Sequence, residues 1–391
     1  MSLAFNSLAL QYVQANPDLD LGARDDGHCR LVYLIGELHT GGSERQLYYL
    51  LQGMDRDRYR PTVVVWNYSD GDFHLPLIRE LGIPVHALPR NASRLGKLTA
   101  LRRLIAELHP EVVHSWSFYT NFAAYWATRG SKTVCLGSIR SDFSWALNEC
   151  GAVLGRLNGL RPRLQICNSF SAAESVRSLK RYAAPARVSV VRNGVDLDPC
   201  RNLPVPTIKP MNILGIGYLV PVKRWDRLIA AAQNLNQKGL DFRINIAGDG
   251  PLLSELKKLA IESGVGERIQ FLGHVNDLPN LLARSAFVVH TAAAEGSPNA
   301  VMEAMAAGRA VIATEAGDIP NLIEDGKTGF VVRRDYGSAL AERMARLITD
   351  PNLCVEMGRA ARIKAEREFG MERLVKETFE VYRSSGWEDR A

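Results

Sequence analysis

Short hydrophobic runs rich in β-branched residues alternate with amphipathic segments along most of the chain. This alternation is typical of parallel sheets whose strands are joined by crossover helices. A first set of predicted strands covers 31–36, 62–66, 85–88, 112–114, 134–138, 164–168 and 188–192. A second set covers 212–217, 243–247, 269–271, 287–290, 310–314 and 329–332. The pattern therefore predicts an α/β protein with two doubly wound, Rossmann-like domains.

The two sets of strands are separated by a proline-rich segment, in which Pro204, Pro206 and Pro210 lie within seven residues. Proline lacks an amide donor and does not fit a central strand, so this segment is predicted to be a linker. We expect an N-terminal domain over 1–200 and a C-terminal domain over 201–370. The chain after Pro351 is expected to be helical to its end, and the amphipathic stretch 371–391 is expected to pack back on the first domain. Two such domains that face each other would leave a cleft at the carboxyl ends of their strands, where these sheets bind ligands.

Composition narrows the class of protein. The chain has 391 residues, of which 46% are hydrophobic and 23% charged, and this excludes a disordered, collagenous or coiled-coil protein. Since no apolar run reaches ~18 residues and the N-terminus lacks a basic start, a cytoplasmic location is expected. The six cysteines form no C-x-x-C pair, so neither a zinc site nor a disulfide framework is indicated. No metal and no cofactor are expected.

Basic residues are concentrated in one part of the chain. Residues 86–192 contain 16 Lys and Arg against 5 Asp and Glu, whereas the whole chain has a net charge of +6. This excess is consistent with a solvated surface, or with a surface that meets an anionic lipid or a phosphorylated substrate. Nucleic acid is disfavoured as a partner because no binding motif accompanies the charge. We expect the protein to contact the inner face of an anionic membrane reversibly.

A helix whose start is suited to bind a phosphate is predicted at 297–308. Ser297 is a suitable N-cap, Pro298 suits the first helical position, and Gly308 would close the helix. The helix start would then present a set of backbone amides that favour a phosphate, those of Asn299, Ala300 and Val301.

Two glutamates flank that helix start. Glu295 lies with Gly296 in the preceding loop, and Glu303 follows eight residues later, on the same side of the helix after about two turns. Taken alone, the pair is consistent with a loop charge and a solvated helix residue. Together with the amides, the two carboxylates would suit a sugar, a diphosphate and a ribose in sequence.

The Glu-x7-Glu spacing from Glu295 to Glu303 resembles the signature of the retaining family 4 glycosyltransferases, which have the GT-B fold. Further landmarks of that family occur in the expected order at 41–45, 193–196, 217–223, 247–251, 271–275 and 325–330. The resemblance implies that the C-terminal domain binds a UDP-sugar and that the basic N-terminal domain binds the acceptor. It also implies transfer of a hexose, with glucose favoured, to a lipid-linked or polysaccharide acceptor in envelope or exopolysaccharide synthesis. The anomeric configuration would be retained.

The resemblance also implies roles for single residues. Glu295 would contact the sugar, Glu303 would hold the ribose and Lys223 would meet the diphosphate. The donor would further be approached by Gly41 and Gly42, by Gly248, and by the backbone of Val275. Gly41 and Gly42 precede Ser43-x-x-Gln46, a predicted capping box.

This chain departs from the family pattern at two positions. Tyr218 stands where many members have an arginine that binds the diphosphate, and Arg140 stands where a histidine near the sugar is common. We hypothesise that Arg140 replaces part of the charge lost at Tyr218.

Two other classes stay open: a sugar-nucleotide epimerase of the same fold, and a nucleotide-sugar sensor without turnover. Product analysis with and without an acceptor separates the epimerase from a transferase, and slow hydrolysis or transfer from a labelled UDP-sugar would exclude the sensor. A nicotinamide dehydrogenase is disfavoured, because neither domain has Gly-x-Gly-x-x-Gly after its first strand.

Overall fold

The computed structural model describes residues 28–179, 182–201, 203–204, 210–333 and 337–389. Its contacts divide the chain into two compact units. Unit 1 contains the described residues up to Asn168, Ala172–Val191 and those from Leu374 onward. Unit 2 contains Ser169–Ser171 and Arg192–Arg373.

Unit 1 is built on a parallel sheet of seven strands in the order β3-β2-β1-β4-β5-β6-β7. The strands are β1 (Cys29–Ile35), β2 (Tyr59–Val65), β3 (Val85–Ala87), β4 (Val112–Ser115), β5 (Val134–Ile139), β6 (Leu164–Cys167) and β7 (Arg187–Val190). The intervening helices are α1 (Gly42–Gln52), α2 (His74–Glu80), α3 (Arg94–Leu108), α4 (Asn121–Thr128), α5 (Phe143–Cys150), α6 (Ala152–Leu160) and α7 (Phe170–Ser178). Hydrophobic residues cover both faces of the sheet, and α3 and α4 pack on one of them.

Unit 2 is built on a parallel sheet of six strands in the order β10-β9-β8-β11-β12-β13. The strands are β8 (Met211–Ile216), β9 (Phe242–Ala247), β10 (Ile269–Gly273), β11 (Phe287–His290), β12 (Ala310–Thr314) and β13 (Gly329–Val332). The helices are α8 (Trp225–Gln237), α9 (Leu253–Glu262), α10 (Leu278–Ala283), α11 (Asn299–Ala306), α12 (Ile319–Leu322), α13 (Gly337–Thr349) and α14 (Pro351–Glu368). Strands β8, β11 and β12 are buried almost throughout, as expected for a parallel sheet covered on both faces.

The two-sheet α/β prediction is confirmed, and each predicted strand overlaps an observed one. The helical prediction after Pro351 needs two corrections. Phe369 and Gly370 interrupt the helix, because Gly370 pairs with Val195 in a short parallel bridge. The last helix, α15 (Met371–Ser384), ends before the C-terminus.

The final helix and the segment after it complete the core of unit 1. The Phe379 ring lies 4.4 Å from that of Tyr59, and the Trp387 ring lies 6.1 Å from the same tyrosine. Trp387 Nε1 also donates to Glu111 Oε2 at 3.0 Å. Residues from the C-terminal end of the chain thus belong to the hydrophobic core of unit 1.

The boundary between the units lies between Val191 and Arg192, earlier than the predicted position near residue 200. The segment that follows is bonded to unit 2. The Asn193 side chain donates to Ser297 O at 3.1 Å, and Val195 N donates to Phe369 O at 2.7 Å. These bonds assign the segment to unit 2 although it precedes the prolines. In the described ranges, no helix has both the length and the hydrophobicity needed to cross a membrane.

Candidate functional site

The candidate site of unit 2 lies where the order of its strands reverses. β8 and β11 are neighbours, and the strands that continue from them run toward opposite edges of the sheet. Loops that leave adjacent strands at such a point separate from each other and leave a crevice for ligands. The loops after β8 and β11 carry Tyr218, Lys223 and Glu295.

A cluster of three side chains forms between these two loops. Lys223 Nζ donates to Glu295 Oε1 in a short ion pair, and His290 Nε2 lies 3.1 Å from the same oxygen. The side chain of His290 is only 3% exposed, and those of Glu295 and Lys223 are 13% and 21% exposed. The structure therefore brings together Glu295 and Lys223, for which the family resemblance implies contacts with the sugar and with the diphosphate.

The cluster keeps the Glu295 carboxyl group ionised. Burial by itself would raise the pKa of Glu295, but the hydrogen bond and charge of His290, together with the Lys223 ammonium, lower that pKa to about 2. At neutral pH the group is therefore a carboxylate that only accepts hydrogen bonds.

The backbone around the cluster is fixed by several contacts. Thr291 Oγ1 donates to Lys223 O at 2.8 Å, and Ala293 N donates to Val222 O at 2.8 Å. On the other side, Gly317 has a φ of +51°, and a Cβ there would lie 1.9 Å from Glu295 O. Only glycine permits this close approach, so the loop that holds Glu295 is packed on both sides.

Helix α11 begins one residue later than the sequence predicts. Pro298 is its N-cap, and Ser297 does not cap it because its hydroxyl donates to Met302 Sδ at 3.6 Å. The Val301 amide donates to Pro298 O at 3.2 Å and is therefore engaged within the helix. Val301 is thus removed from the predicted set of ligand-facing amides.

The other end of α11 agrees with the prediction. Gly308 has a φ of +69°, its amide donates to Met305 O at 2.9 Å, and the Arg309 amide donates to Ala304 O at 2.9 Å. This pair of bonds is the Schellman arrangement that ends a helix at glycine. Within α11, Glu303 is 6% exposed, so it is not a solvated helix residue.

Loops after neighbouring strands complete the edge of the site. Gly248 has a φ of +146°, and a Cβ at this position would lie 2.0 Å from Gly217 O, so the loops after β8 and β9 touch through their backbones. Asp249 Oδ2 accepts the His274 amide at 3.0 Å, which ties in the loop that carries Val275. Tyr218 is 52% exposed at this edge.

The glycine turn of unit 1 differs from its prediction. Helix α1 begins at Gly42 with Gly41 as its N-cap, and no side chain caps it, so the predicted capping box of Ser43 and Gln46 is wrong. Gln46 is fully buried instead. The carboxylate of Glu44 lies over Gly41, where a Cβ would be 2.0 Å from Glu44 Oε2. The backbone of Gly41 is thus contacted by a carboxylate of its own helix.

Arg140 lies within unit 1 and is engaged there. Its guanidinium carbon is 3.5 Å from the centre of the Trp116 ring, and its Nε donates to Trp116 O at 3.2 Å. Burial lowers the pKa of Arg140, and the nearby Glu44 carboxylate opposes that shift. Arg140 was hypothesised to replace part of the positive charge lost at Tyr218. Its own charge is thus partly balanced by Glu44.

His290 is the residue that sequence reasoning missed. It belongs to a hydrophobic strand and precedes Glu295 by five residues, a spacing that matches no motif. The one available indication is a lone histidine at the carboxyl end of a buried strand, where side chains of parallel sheets meet ligands.

Two family models match the chain. The model for Glycosyltransferase Family 4 matches residues 40–199, and that for Glycosyl transferases group 1 matches residues 207–364. Together they cover most of the chain and parts of both units.

Curated relatives are similar at low identity. The alpha-D-kanosaminyltransferase of Streptomyces kanamyceticus is 28% identical over 176 residues, which are 44% of this chain and 46% of that enzyme. The first such relatives are matched over about half of their length. A GDP-mannose-dependent alpha-(1-6)-phosphatidylinositol monomannoside mannosyltransferase of Mycobacterium tuberculosis is 28% identical over 67% of this chain and 73% of its own.

Solved structures share the fold. HepE of Anabaena in complex with UDP-glucose aligns with a TM-score of 0.76 and 22% identity, over 91% of this chain and all of that one. A sucrose-phosphate synthase of Thermosynechococcus elongatus aligns with a TM-score of 0.75 and 17% identity, over 91% and 98% of the two chains.

Proposed function

Because the chain belongs to the glycosyltransferases of group 1 and family 4, we propose that it transfers a hexose, with retention, from a UDP-sugar to a lipid-linked or polysaccharide acceptor. The observation that carries this proposal is the Lys223–Glu295–His290 cluster at the point of strand reversal, beside the helix that carries Glu303. UDP-glucose is the first donor to test, since the similarly folded HepE was crystallised with it. The similarity to a GDP-mannose-dependent enzyme makes GDP-mannose the main competitor.

In the proposed reaction, Glu295 accepts hydrogen bonds from the sugar hydroxyls and Glu303 accepts those of the ribose. The bond between the anomeric carbon and the diphosphate oxygen breaks, and the acceptor oxygen bonds to that carbon on the same face. The departing diphosphate oxygen takes the proton of the acceptor hydroxyl. Lys223 and the first amides of α11 stabilise the negative charge that grows on this oxygen.

A thermal-shift screen with UDP-, GDP- and ADP-sugars tests the donor class. A ligand at a hundred times its dissociation constant adds about 2.7 kcal/mol to the free energy of unfolding. We expect UDP-glucose to raise the melting temperature. If no nucleotide sugar stabilises the protein, the proposed function is wrong.

Lys223→Ala is expected to lower the transfer rate more than it weakens donor binding, because the charge that Lys223 meets is larger in the transition state than in the bound donor. Steady-state kinetics would give the loss in kcat beside the change in Kd for the donor. Lys258→Ala is the matched control, since Lys258 forms an exposed pair with Glu262 at 3.7 Å in the same unit. An equal loss in Kd and kcat would contradict this role.

We expect the transfer rate to be unchanged by EDTA, because Lys223 and helix amides stabilise the negative charge of the diphosphate in the proposed reaction. The measurement is UDP release from UDP-glucose before and after dialysis against the chelator. Activity that is lost with EDTA and restored by a divalent cation would show that a metal shares this charge.

The basic stretch 86–192, most of which lies in unit 1, is proposed to bind an anionic membrane reversibly. Each Lys or Arg near an anionic leaflet contributes about 1 kcal/mol, and salt screens this attraction over about 8 Å. Co-sedimentation with anionic vesicles at low salt, and release at high salt, is therefore expected.

The charge reversals that test membrane binding must avoid Lys97. From the sequence, Arg94, Lys97 and Arg102 are the natural choice, but Lys97 is buried and its ammonium donates to Trp66 O and Asn67 Oδ1 at 2.8 and 2.9 Å. Exposed Arg103 takes its place. Reversal of Arg94, Arg102 and Arg103 to Glu should abolish vesicle binding and leave UDP binding intact. Vesicle binding that persists at high salt would exclude the electrostatic explanation.

A further inference from the structure

Two donors converge on one oxygen of Glu295. Lys223 Nζ and His290 Nε2 both meet Oε1, and among the described residues no hydrogen-bond donor meets Oε2. A carboxylate oxygen has room for two hydrogen bonds, so Oε1 is saturated by the protein. Oε2 is the atom of Glu295 that is left for a ligand.

The tautomer of His290 follows from its partner. Because Glu295 is an ionised carboxylate, it cannot donate, so His290 Nε2 must carry the proton of the bond. The hydrogen bond therefore has a fixed direction, from the strand to the carboxylate.

The two donors differ in stiffness. The Lys223 ammonium is a point charge on a flexible four-carbon chain. The His290 side chain has only two torsions, ends a strand and is buried, so its position is set by the packing of the sheet. If Lys223 turns toward the diphosphate of a bound donor, His290 is the group that keeps the Glu295 carboxylate in place.

We propose that His290 is a positioning residue that orients the Glu295 carboxylate, so that Oε2 accepts a hydroxyl of the transferred sugar. This inference rests on the proposed function and assigns a role to a residue outside its motif. It predicts that His290 affects recognition of the sugar and not of the nucleotide.

The test compares the affinities for UDP and for UDP-glucose by calorimetry in the full-length protein. His290→Leu fills much of the same space but removes the donor, and it should lower the affinity for UDP-glucose roughly tenfold to a hundredfold, as is typical for the loss of a hydrogen bond to a charged group. Affinity for UDP alone should stay as in the wild type. His290→Gln places an amide nitrogen near the position of Nε2 and should restore most of the sugar-dependent affinity.

The pH dependence gives a second measurement that a purely structural role would not change. The titratable groups that face Glu295 are His290 and Lys223. With His290 removed, the pKa of Glu295 rises, because one of the two groups that lower it is lost. The affinity for UDP-glucose falls at low pH as Glu295 is protonated, and this acid limb of the pH profile should move to higher pH in His290→Leu. In His290→Gln it should stay closer to that of the wild type.

The outcomes separate this inference from the proposed function. If the wild-type protein binds neither UDP nor UDP-glucose, the proposed function fails before His290 is tested. If the wild type binds both and His290→Leu has the same affinities and the same acid limb, the positioning role is overturned. It is also overturned if the affinities of His290→Leu for UDP and for UDP-glucose fall equally.

Should His290→Leu not fold, His290→Gln is compared with His290→Asn, whose amide is one carbon too short. Equal affinity of these two variants for UDP-glucose would contradict the proposal.

Discussion

Replacing Glu295 by glutamine is expected to lower the rate of sugar transfer roughly a hundredfold to a thousandfold, the cost typical of removing one preorganised polar group from a catalytic site. The affinity for UDP should be nearly unchanged, because Glu295 is assigned to the sugar. Glutamine keeps the size of the side chain but has no charge to hold the Lys223 ammonium. Only one of its two terminal atoms accepts hydrogen bonds, so either the sugar hydroxyl or His290 faces an amide donor where it needs an acceptor.

This prediction is checked by measuring UDP release from labelled UDP-glucose beside the calorimetric Kd for UDP. Glu262→Gln is the matched control, because Glu262 forms the exposed ion pair of the same unit with Lys258. If Glu295→Gln weakened UDP and UDP-glucose equally, the roles assigned to Glu295 and Glu303 would be reversed or misplaced.

Glu303→Ala is expected to weaken UDP itself by about 1.5 to 3 kcal/mol, or roughly tenfold to a hundredfold in Kd. A carboxylate can accept from both vicinal hydroxyls of a ribose, and such charge-assisted bonds are stronger than neutral ones. Glu303 is 6% exposed on α11, so the substitution also removes buried volume.

Calorimetry with UDP measures this loss, and two further variants interpret it. Glu303→Gln keeps the volume and separates the missing charge from a packing defect. Glu356→Ala removes an exposed carboxylate from α14 and should leave the affinity for UDP as it was. An unchanged Kd in folded Glu303→Ala would exclude Glu303 as the ribose ligand.

The fold was largely predictable from the sequence for a physical reason. Strands of a parallel sheet are buried on both faces, so they form continuous hydrophobic runs that are visible without any contact information. Gly308 was also predictable as the end of α11, because its role depends only on local backbone conformation.

The sequence did not reveal the start of α11, because a nearby side chain competes with capping, nor the partners of the site residues, because those lie far apart in the chain. Ser297 has the composition of an N-cap, but its hydroxyl bonds to Met302 instead. Lys97 belongs to a basic stretch, yet its ammonium is bound by the residues that follow β2. The pairing of Lys223 with Glu295 joins residues 72 positions apart, and it required the neighbouring strands β8 and β11.

The position of α15 has a consequence for synthesis of the chain on the ribosome. Unit 1 begins to emerge first, but Phe379, Tyr382 and Trp387 of its core are translated only after Arg192–Arg373. At about 5 to 20 residues per second, that insertion takes on the order of 10 to 35 s. During this interval the apolar surface around Tyr59 has no covering helix, so the nascent N-terminal half presents a binding surface for chaperones until α15 has been synthesised.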